Sequence, residues 1–438
     1  RVVKHSFRWA DGNAEFAFSA HRIESAPHHA SITLSQVLQN ESFAAFGPAM
    51  LTVPREWVTP GERAEIRVEP WCRGPSTRWF MLAPISTVFE NGDVYRLMDV
   101  AAGERPTAHG MNVYFGDIHT HSGQVRDMPS GGCGTGSREE NYAYAAGPAG
   151  LDFYCLSDHE GQIDPDQIEE FLALADEHNV PGEFVCLRGF EFTSLVYGHR
   201  NIYFRDTGGT IVNACKEWHA MTRDYENATT PAELWDALEA CGAPFLSVPH
   251  HPSAASHPFD WNQFNPTYER LVEVYSMWGS SEYYGDTPRG GSDRYPDLYV
   301  RNALDRGLRF GLIASSDGHD GQPGNAQGRP LDKFTRHGGS GWVAVLCDDL
   351  TRTNVWDALY ARRCYATTGV PIGLSFSING EIMGSELPAL PAGAQPTLAI
   401  GVEGCNGIDH VRIVKNGRVV HTEWCHGERT AAFDWTDV

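Results

Sequence analysis

The chain has 438 residues, of which 41% are apolar and 21% charged, and its net charge is −22. This balance is typical of a soluble globular enzyme, and the length suggests two or three domains, the largest being a barrel of about 250 residues. The acidic surplus would repel a phosphate backbone, and no apolar run approaches the roughly 18 residues that span a bilayer, so we expect neither nucleic acid nor a membrane as partner.

The ten cysteines are scattered along the chain and include no Cys-x-x-Cys pair. In a chain of this length that pattern is typical of free thiols in a reducing compartment, so we predict a cytoplasmic protein without a disulfide framework. A zinc ribbon is excluded, and any metal ion would have to use His and carboxylate ligands. The N-terminus lacks the apolar stretch of a signal peptide, but the missing initiating Met is compatible with a leading segment outside this sequence.

Residues 1–110 carry short alternating segments such as "ERAEIRVEP". Pro and Gly punctuate them, and no long helical period is present. We interpret this range as a β-rich N-terminal segment.

Residues 111–370 alternate strand-like and helical runs. Thr230 to Glu233 forms a capping box with Pro231 at the first helical position, ahead of a helix that Gly242 would end, and "APFLSVPHH" then predicts a strand. "DPDQIEEFLALADEHNVPG" before "EFVCLRGFEF" repeats this scheme, as does "DLYVRNALDRG" before "LRFGLIASSD". Such alternation predicts an α/β fold with parallel strands, crossover helices and a barrel-like sheet.

Residues 371–438 return to a β-rich pattern. Asn379-Gly380 and Asn416-Gly417 each lie between alternating segments, and this dipeptide is a strong signal for a tight hairpin. We therefore predict a β-rich C-terminal segment.

Side chains of the types that bind metal ions recur in the α/β region where predicted strands end. They are His119, His121, Asp158, His159, Glu191, His199, His250, His251, Asp317 and His319. The carboxyl ends of parallel strands face one mouth, so these groups should converge on one cavity. One ion uses only three or four protein ligands, so the surplus predicts more than one ion and a bridging carboxylate. Adjacent ions can activate a shared water and clamp both reacting oxygens, which favours hydrolysis.

Individual members of this pattern have an ordinary alternative. Taken singly, His109, His250 and His257 are explained at least as well as surface or core histidines, and only the ordered set argues for metal. The "GGCGTGS" loop, Gly131 to Ser137, lacks the ending of a phosphate-binding loop and is interpreted as a mobile flap beside the site. No G-x-S-x-G elbow supports a serine hydrolase.

The ordered set "DIHTHS", "LSDHE", "GFEF", "GHRNIYF", "PHHP" and "SSDGHDG" resembles the PHP superfamily, the polymerase and histidinol phosphatase metal-dependent hydrolases. It looks closest to a branch known only as a domain of unknown function, in which β segments flank the PHP core, and "RRCYATTG" and "INGEIMGSEL" also resemble that branch. The resemblance covers most of the chain. It implies a distorted (β/α)7 barrel with β-sandwich-like flanking segments and two or three divalent ions of zinc, manganese or iron.

The resemblance also implies a ligand set. The first ion would be bound by His119, His121, Glu191 and Asp317, the second by His159 and His319, and the third by Glu191, His199 and His251, with Glu191 bridging. His251 is preferred to His250 because it directly precedes Pro252, as the family ligand precedes a proline.

Three aspartates near the motifs have other assignments. Many family members have a further ligand of the second ion shortly after H-x-H, where this chain offers only Asp127. We expect Asp117 and Asp158 to orient ligand imidazoles as hydrogen-bond acceptors.

These features predict a metal-dependent hydrolase in which an ion-bound hydroxide attacks an electrophilic centre. A phosphoester of a small molecule is the first choice, because that chemistry dominates the characterised relatives and because Arg188, Arg200 and Arg363 lie in or near the motifs. Their guanidinium groups would suit phosphoryl oxygens. The predicted catalytic residues are Glu191, Asp317, Arg363 and Tyr365.

Two alternatives stay open. An ester, lactone or amide hydrolase with the same metal centre would need fewer cationic contacts, and the acidic balance favours it slightly. A non-catalytic metal-binding protein is the other. For both hydrolase hypotheses the expected partner is a small-molecule substrate, and the sequence is compatible with a homo-oligomer.

Overall fold

The computed structural model describes residues 105–123, 132–147, 149–214, 228–286, 295–319, 321–324, 341–405 and 407–437, together with four strands nearer the N-terminus. These strands are β1 (Val2–Phe7), β2 (Ala14–Ala20), β3 (Ile32–Leu38) and β4 (Glu65–Pro70). They belong to a compact unit separate from the rest of the described chain. β1 pairs in parallel with β4, and β2 pairs antiparallel with β3. The predicted β character of residues 1–110 is thus confirmed for these segments, and most of that range lies outside the described residues.

The next part of the chain mixes strands and helices, which confirms the α/β class. Its strands are β5 (Thr107–Ala108), β6 (Met111–Asp117), β7 (Phe153–Tyr154), β8 (Val185–Cys186), β9 (Arg188–Ser194), β10 (Gly198–Phe204), β11 (Phe245–Pro249), β12 (Leu271–Ser276), β13 (Gly279–Ser280), β14 (Gly311–Ala314), β15 (Trp342–Cys347) and β16 (Cys364–Thr367). Its helices are α1 (Arg138–Ala146), α2 (Ile168–Glu177), α3 (Pro231–Ala240), α4 (Val300–Asp305) and α5 (Arg352–Tyr360).

These strands form three sheets. The first runs β16-β15-β6-β7-β8 with β5 on β6, and in it β6, β7 and β8 are parallel while β15 is antiparallel to both neighbours. The second is the antiparallel order β11-β10-β9. In the third, β12 is parallel to β14 and antiparallel to β13. Among the described strands, the ladders do not close into a single ring.

The prediction that the strands of this region are parallel is wrong for β9, β10 and β11. Only residues 195–197 separate β9 from β10, whereas a parallel pair needs a crossover of about a dozen residues or more. Gly198 begins β10 with φ of 82°, and a Cβ there would lie 2.7 Å from the Cα of Phe259. The resulting hairpin pairs Glu191 with Asn201 and Thr193 with His199, so all four side chains lie on one face.

One cluster of buried apolar side chains draws on all three sheets. Phe153 on β7, Leu246 on β11 and Leu271 on β12 all belong to it. A second cluster packs helices onto the outside of the strands, with Leu172 of α2 and Leu234 of α3 among its members. Full burial of such a side chain is worth roughly 1.5–3 kcal/mol, so these clusters fix the strands whose ends carry the candidate ligands.

Two local predictions from the sequence are confirmed. Helix α3 begins directly after Thr230, which forms a capping box with Glu233 in the first turn, and Gly242 follows the helix with φ of 78°. Asn379-Gly380 and Asn416-Gly417 both take left-handed conformations at tight turns.

The C-terminal part consists of β17 (Gly373–Ile378), β18 (Glu381–Ile382), β19 (Thr397–Glu403), β20 (His410–Lys415), β21 (Arg418–Trp424) and β22 (Thr430–Thr436). Four of them form the antiparallel order β18-β17-β19-β22, and β20 pairs with β21. The predicted β-rich character is confirmed. The eight cysteines in the described ranges are free. No helix in those ranges combines the length and apolar character needed to cross a membrane.

Arg200 and Glu269 form a fully buried ion pair at 2.7 Å beneath the second sheet. Arg200 also donates to the carbonyls of Tyr197 and Gly198 and lies over the ring of Phe259. Removing one partner leaves the other charge buried and unpaired.

We predict that Arg200→Ala lowers the free energy of unfolding by about 3–5 kcal/mol. The control is Arg205→Ala, which breaks the partly exposed pair with Asp357 and should cost under about 1 kcal/mol. Urea unfolding of the full chain, followed by tryptophan fluorescence, measures both. Equal, small losses would contradict a structural role for Arg200.

Candidate metal centre

The ligand-type side chains meet at one end of the sheets, and most of them follow the carboxyl end of a strand, as the sequence predicted; His199 instead lies at the amino end of the antiparallel strand β10. His119 and His121 follow β6, His159 follows β7, Glu191 and His199 lie on β9 and β10, His250 and His251 follow β11, and Asp317 and His319 follow β14. All of these residues are buried except His319, whose side chain is 20% exposed. Isolated bridges between His159 and Glu191, His250 and Glu273, and Thr120 and Gly318 hold these strand ends beside one another.

The first ligand group contains His119, His121 and Asp317, whose candidate ligand atoms lie within 4.8 Å of one another. The Nε2 atoms of the two histidines are 3.3 Å apart, and they lie 3.4 and 3.2 Å from Oδ1 of Asp317. Three of the four ligands predicted for the first ion therefore form one group, and the fourth, Glu191, adjoins it.

Glu191 lies between the ligand groups. Its Oε2 is 3.4 Å from Nε2 of His119, 3.1 Å from Nε2 of His121 and 3.2 Å from Nδ1 of His159. Its Oε1 faces the other way, 2.7 Å from Nδ1 of His199 and 2.9 Å from Nε2 of His250. The two oxygens of this carboxylate therefore face imidazoles of different ligand groups.

The second ligand group consists of Glu191, His199, His250 and His251. The preference for His251 over His250 is not supported, because both histidines belong to this group. His251 has φ of 32° and Asp317 φ of 50°, a left-handed conformation that is rare outside glycine. Such strain costs on the order of 1–3 kcal/mol and is typical of functional sites. His257 stacks on His199 with ring centroids 3.9 Å apart, at the rim of the same group.

The third ligand group consists of His121, Cys133, His159 and His319. His159 and His319 were expected to share an ion, but Cys133 was not expected to take part. Cys133 is therefore a candidate ligand of a type that the sequence analysis did not consider, since it allowed only His and carboxylate ligands. A cysteine flanked by glycines shortly after H-x-H was the available signal. Asp127, the candidate from the sequence, lies outside the described residues.

The side chains that orient the ligands differ from the prediction. Nδ1 of His119 lies 3.0 Å from Oε2 of Glu273, a buried glutamate within the otherwise apolar strand β12. Oδ1 of Asp117 accepts from the backbone of Ser316, and Asp158 accepts from Ser122. These aspartates therefore fix the loops rather than imidazoles. The hydroxyl of Thr193 lies 2.7 Å from Nδ1 of His159.

The donor set fits divalent metal ions. Several buried atoms at the centre have no hydrogen-bond partner, namely Nδ1 of His121, His250 and His251 and Oδ2 of Asp317. Buried polar atoms are normally satisfied, so their number here calls for an additional ligand. Imidazole and carboxylate are the ligands of zinc, manganese and iron.

Burial and neighbouring charges set the protonation of the site. Burial favours the neutral form of Glu191, but the imidazoles of His159 and His250 outweigh it and hold its pKa well below the ordinary value. Burial and then the neighbouring His119 lower the pKa of His250 to about 4. Burial and then His250 lower the pKa of His251 well below its ordinary value. At His119, in contrast, burial lowers the pKa but Asp317 and Glu273 outweigh it and hold the pKa well above its ordinary value. Metal binds an ionised carboxylate and neutral imidazoles, so this histidine would release a proton on binding.

The motif arginines do not face the cluster. Arg188 and Arg200 have the opposite strand parity to Glu191 and His199, so their side chains point to the other face of the sheet. Arg188 pairs there with Asp176 and Glu169. Their predicted role in substrate binding is therefore not supported.

Arg363 and Tyr365, which the sequence placed in the site, lie elsewhere. The carbonyl of Arg363 accepts from the backbone of Leu346, whose register partner is Val113, so Arg363 lies about 13 Å along β6 from Asp117 at about 3.3 Å per residue. The hydroxyl of Tyr365 donates to the carbonyl of Ile372 at 2.6 Å. The cause is strand direction, because β16 runs so that only its carboxyl end approaches the ligand side. His109 is exposed on the β5–β6 turn, an ordinary surface histidine.

Part of the chain is similar to known proteins. Residues 155–283 match a family described as "Protein of unknown function (DUF3604)". An uncharacterized protein of Chlamydia pneumoniae is 30% identical over 288 residues, which is 62% of this chain and 43% of that protein. One of Chlamydia trachomatis is 29% identical over 302 residues, 66% of this chain and 46% of its own length. The chain thus spans less than half the length of these relatives, and the matches agree with the resemblance to a branch of unknown function.

Two solved structures are similar at a low level. PsfC from Pseudomonas syringae aligns with a TM-score of 0.35 and 17% identity, covering 59% of this chain and 92% of PsfC. A two-domain protein from Bacteroides vulgatus, described as containing a predicted PHP-like metal-dependent phosphoesterase, aligns with a TM-score of 0.35 and 15% identity, covering 76% of this chain and 88% of that protein.

We predict that Glu191→Gln lowers the bound metal of more than one ligand group, because the change removes the charge that both groups share. The loss of affinity should exceed the about 10–100-fold that removal of an outer-sphere partner costs. Elemental analysis of protein purified without chelator measures it, with the exposed His109→Ala as control. Metal content equal to that of the control would contradict the central place of Glu191.

We also predict that His250→Ala and His251→Ala lose metal to a similar extent, because both imidazoles lie in the second ligand group. Isothermal titration of each apo variant with zinc gives the number of sites and their affinity. Loss confined to His251→Ala would restore the assignment based on Pro252.

Proposed function

We propose that this chain is a metal-dependent hydrolase with two or three divalent ions of zinc, manganese or iron. The observation that carries the proposal is the convergence of three ligand groups on one buried site around Glu191. A single structural ion needs three or four ligands, and this site offers more than twice that number.

Each ligand group has a part in this proposal. His119, His121 and Asp317 would hold one ion, and His199, His250 and His251 another, with Glu191 shared between them. When bound, such ions supply Lewis acidity and activation of water for attack on a phosphoryl or carbonyl centre.

The surrounding residues hold this centre in place. Glu273 accepts from Nδ1 of His119, which fixes the imidazole tautomer and turns Nε2 toward the centre. Thr193 lies in hydrogen-bond contact with His159, and Glu160 accepts from Thr193 at 2.8 Å, so this second chain orients His159. Among the described ligand residues only Cys133 and His319 have solvent exposure, so bulk water would reach the centre from their side.

We also propose that the three sheets together form a distorted (β/α)7 barrel. Support comes from the shared apolar cluster and from the isolated bridges of Thr120 with Gly318, His159 with Glu191 and His250 with Glu273, which join neighbouring sheets at the ligand end. The proposed barrel would have its mouth at the metal centre.

A small-molecule phosphoester is the proposed substrate. The ions that the ligand groups would hold would supply positive charge for phosphoryl oxygens, so arginine contacts are not required. A carboxylic ester, lactone or amide is the second candidate. Two observations support this second candidate. Arg188, Arg200 and Arg363 do not face the cluster, and the chain is strongly acidic.

We predict that dialysis against a chelator abolishes hydrolysis and that added zinc, manganese or iron(II) restores it. The test is a panel of phosphomonoesters, phosphodiesters, carboxylic esters, lactones and amides, assayed with the metal-loaded chain and with Arg205→Ala as a control variant. Full activity of the metal-free chain would contradict the proposal. A fully loaded chain that is inactive on every class would instead favour the non-catalytic metal-binding alternative.

A further inference from the structure

The glycine-rich loop is fastened to the H-x-H segment by backbone hydrogen bonds. Gly132 N donates to Gly123 O at 3.0 Å, Gly134 N to Ser122 O at 3.0 Å, and Gly123 N to Gly136 O at 2.8 Å. The part of the loop between 132 and 136 is therefore held against the strand end that carries His121.

The glycines on either side of Cys133 are required by this contact. A Cβ at Gly134 would lie 2.0 Å from the carbonyl oxygen of His121, and one at Gly132 would lie 2.6 Å from that of Ser122. Real Cβ atoms do not approach so closely, so only glycine permits the two backbones to meet. The packing fixes the position of Cys133 at the metal centre.

The thiol lies with three imidazoles. The candidate ligand atoms of Cys133, His121, His159 and His319 are all within 4.8 Å of one another. His121 is 1% exposed, its Nε2 faces Asp317 and Glu191, and its buried Nδ1 has no hydrogen-bond partner. A thiol packed against a buried imidazole with an unsatisfied nitrogen is a different environment from that of an ordinary surface cysteine such as Cys241.

We propose that Cys133 is a metal ligand that completes the third ligand group, giving one ion a thiolate and up to three imidazoles. This inference rests on the proposed metal centre. Cys133 would be the further ligand shortly after H-x-H for which the sequence analysis found only Asp127. On binding, the thiol loses its proton to solvent and no redox change occurs.

A thiolate ligand determines which ion this group prefers. Soft thiolate and imidazole donors favour zinc and related ions, whereas manganese and magnesium prefer oxygen ligands. Cys133 and His319 are also the members of the three groups with solvent exposure. The ion of this group would therefore be the one nearest the mouth, and it would be zinc-like even if deeper positions accept manganese.

Cobalt(II) titration of the full apo chain tests the proposal. The wild type should develop d–d bands from metal binding together with a thiolate-to-cobalt charge-transfer band in the near ultraviolet. Cys133→Ser should lose the charge-transfer band and about one equivalent of tightly bound ion, since a lost ligand costs more than the about 10–100-fold of an outer-sphere partner. Cys241→Ser, which removes another exposed thiol, should match the wild type.

Alkylation of the wild-type chain gives a second readout. Zinc should protect Cys133 from a thiol reagent, measured by peptide mass spectrometry, and leave the labelling of Cys241 unchanged. Gly134→Ala should abolish the protection while keeping the thiol, because the loop can no longer approach His121.

The outcomes separate this inference from the proposed function. Cobalt d–d bands without a charge-transfer band, or equal alkylation of Cys133 with and without zinc, would overturn the role of Cys133 alone. Absence of any tight cobalt binding would overturn the metal centre as well.

Discussion

The structure depends on how it accommodates one buried carboxylate. Glu191 is 1% exposed, and an unpaired charge at that depth would cost several kcal/mol. Its oxygens lie within 2.7–3.4 Å of nitrogens from His119, His121, His159, His199 and His250. These histidines follow or belong to four different strands, so the charge of Glu191 is compensated only when those strand ends meet. The same convergence brings together enough ligands for several ions.

The rest of the fold stabilises this arrangement, which is locally unfavourable. The left-handed backbone at His251 and Asp317 and the crowding of unsatisfied imidazole nitrogens both disfavour the folded state locally. The apolar cluster shared by the three sheets offsets these costs, and the buried pair of Arg200 and Glu269 fixes the strand that carries His199. The candidate metal centre and the stability of the fold therefore depend on adjacent residues of β10, since His199 points to the ligands and Arg200 to the opposite face.

The sequence predicted what depends on local pattern. The capping box before α3, the Asn-Gly turns and the ligand residues after the strands could all be read from spacing, because each depends on a few adjacent residues. If the β9–β10 hairpin had been recognised in the sequence, the alternation of side chains along each strand would have shown that Arg188 and Arg200 point away from the site. The position of Arg363 relative to the site depends on the direction of β16, and only the pairing of β16 with β15 determines that direction. Glu273 could not be predicted, because it contacts His119 across sheets. For Cys133 the sequence offered only its place between glycines shortly after H-x-H, and the packing of those glycines on His121 and Ser122 is visible only in the structure.

The central claim is that the ligand groups around Glu191 bind more than one metal ion. Anomalous diffraction from crystals of the full chain grown with zinc, recorded above and below the zinc edge, tests it most directly. We expect separate anomalous peaks at the ligand groups, with at least two of them in contact with Glu191. A single peak away from Glu191, or no peak in the cavity at saturating zinc, would contradict it.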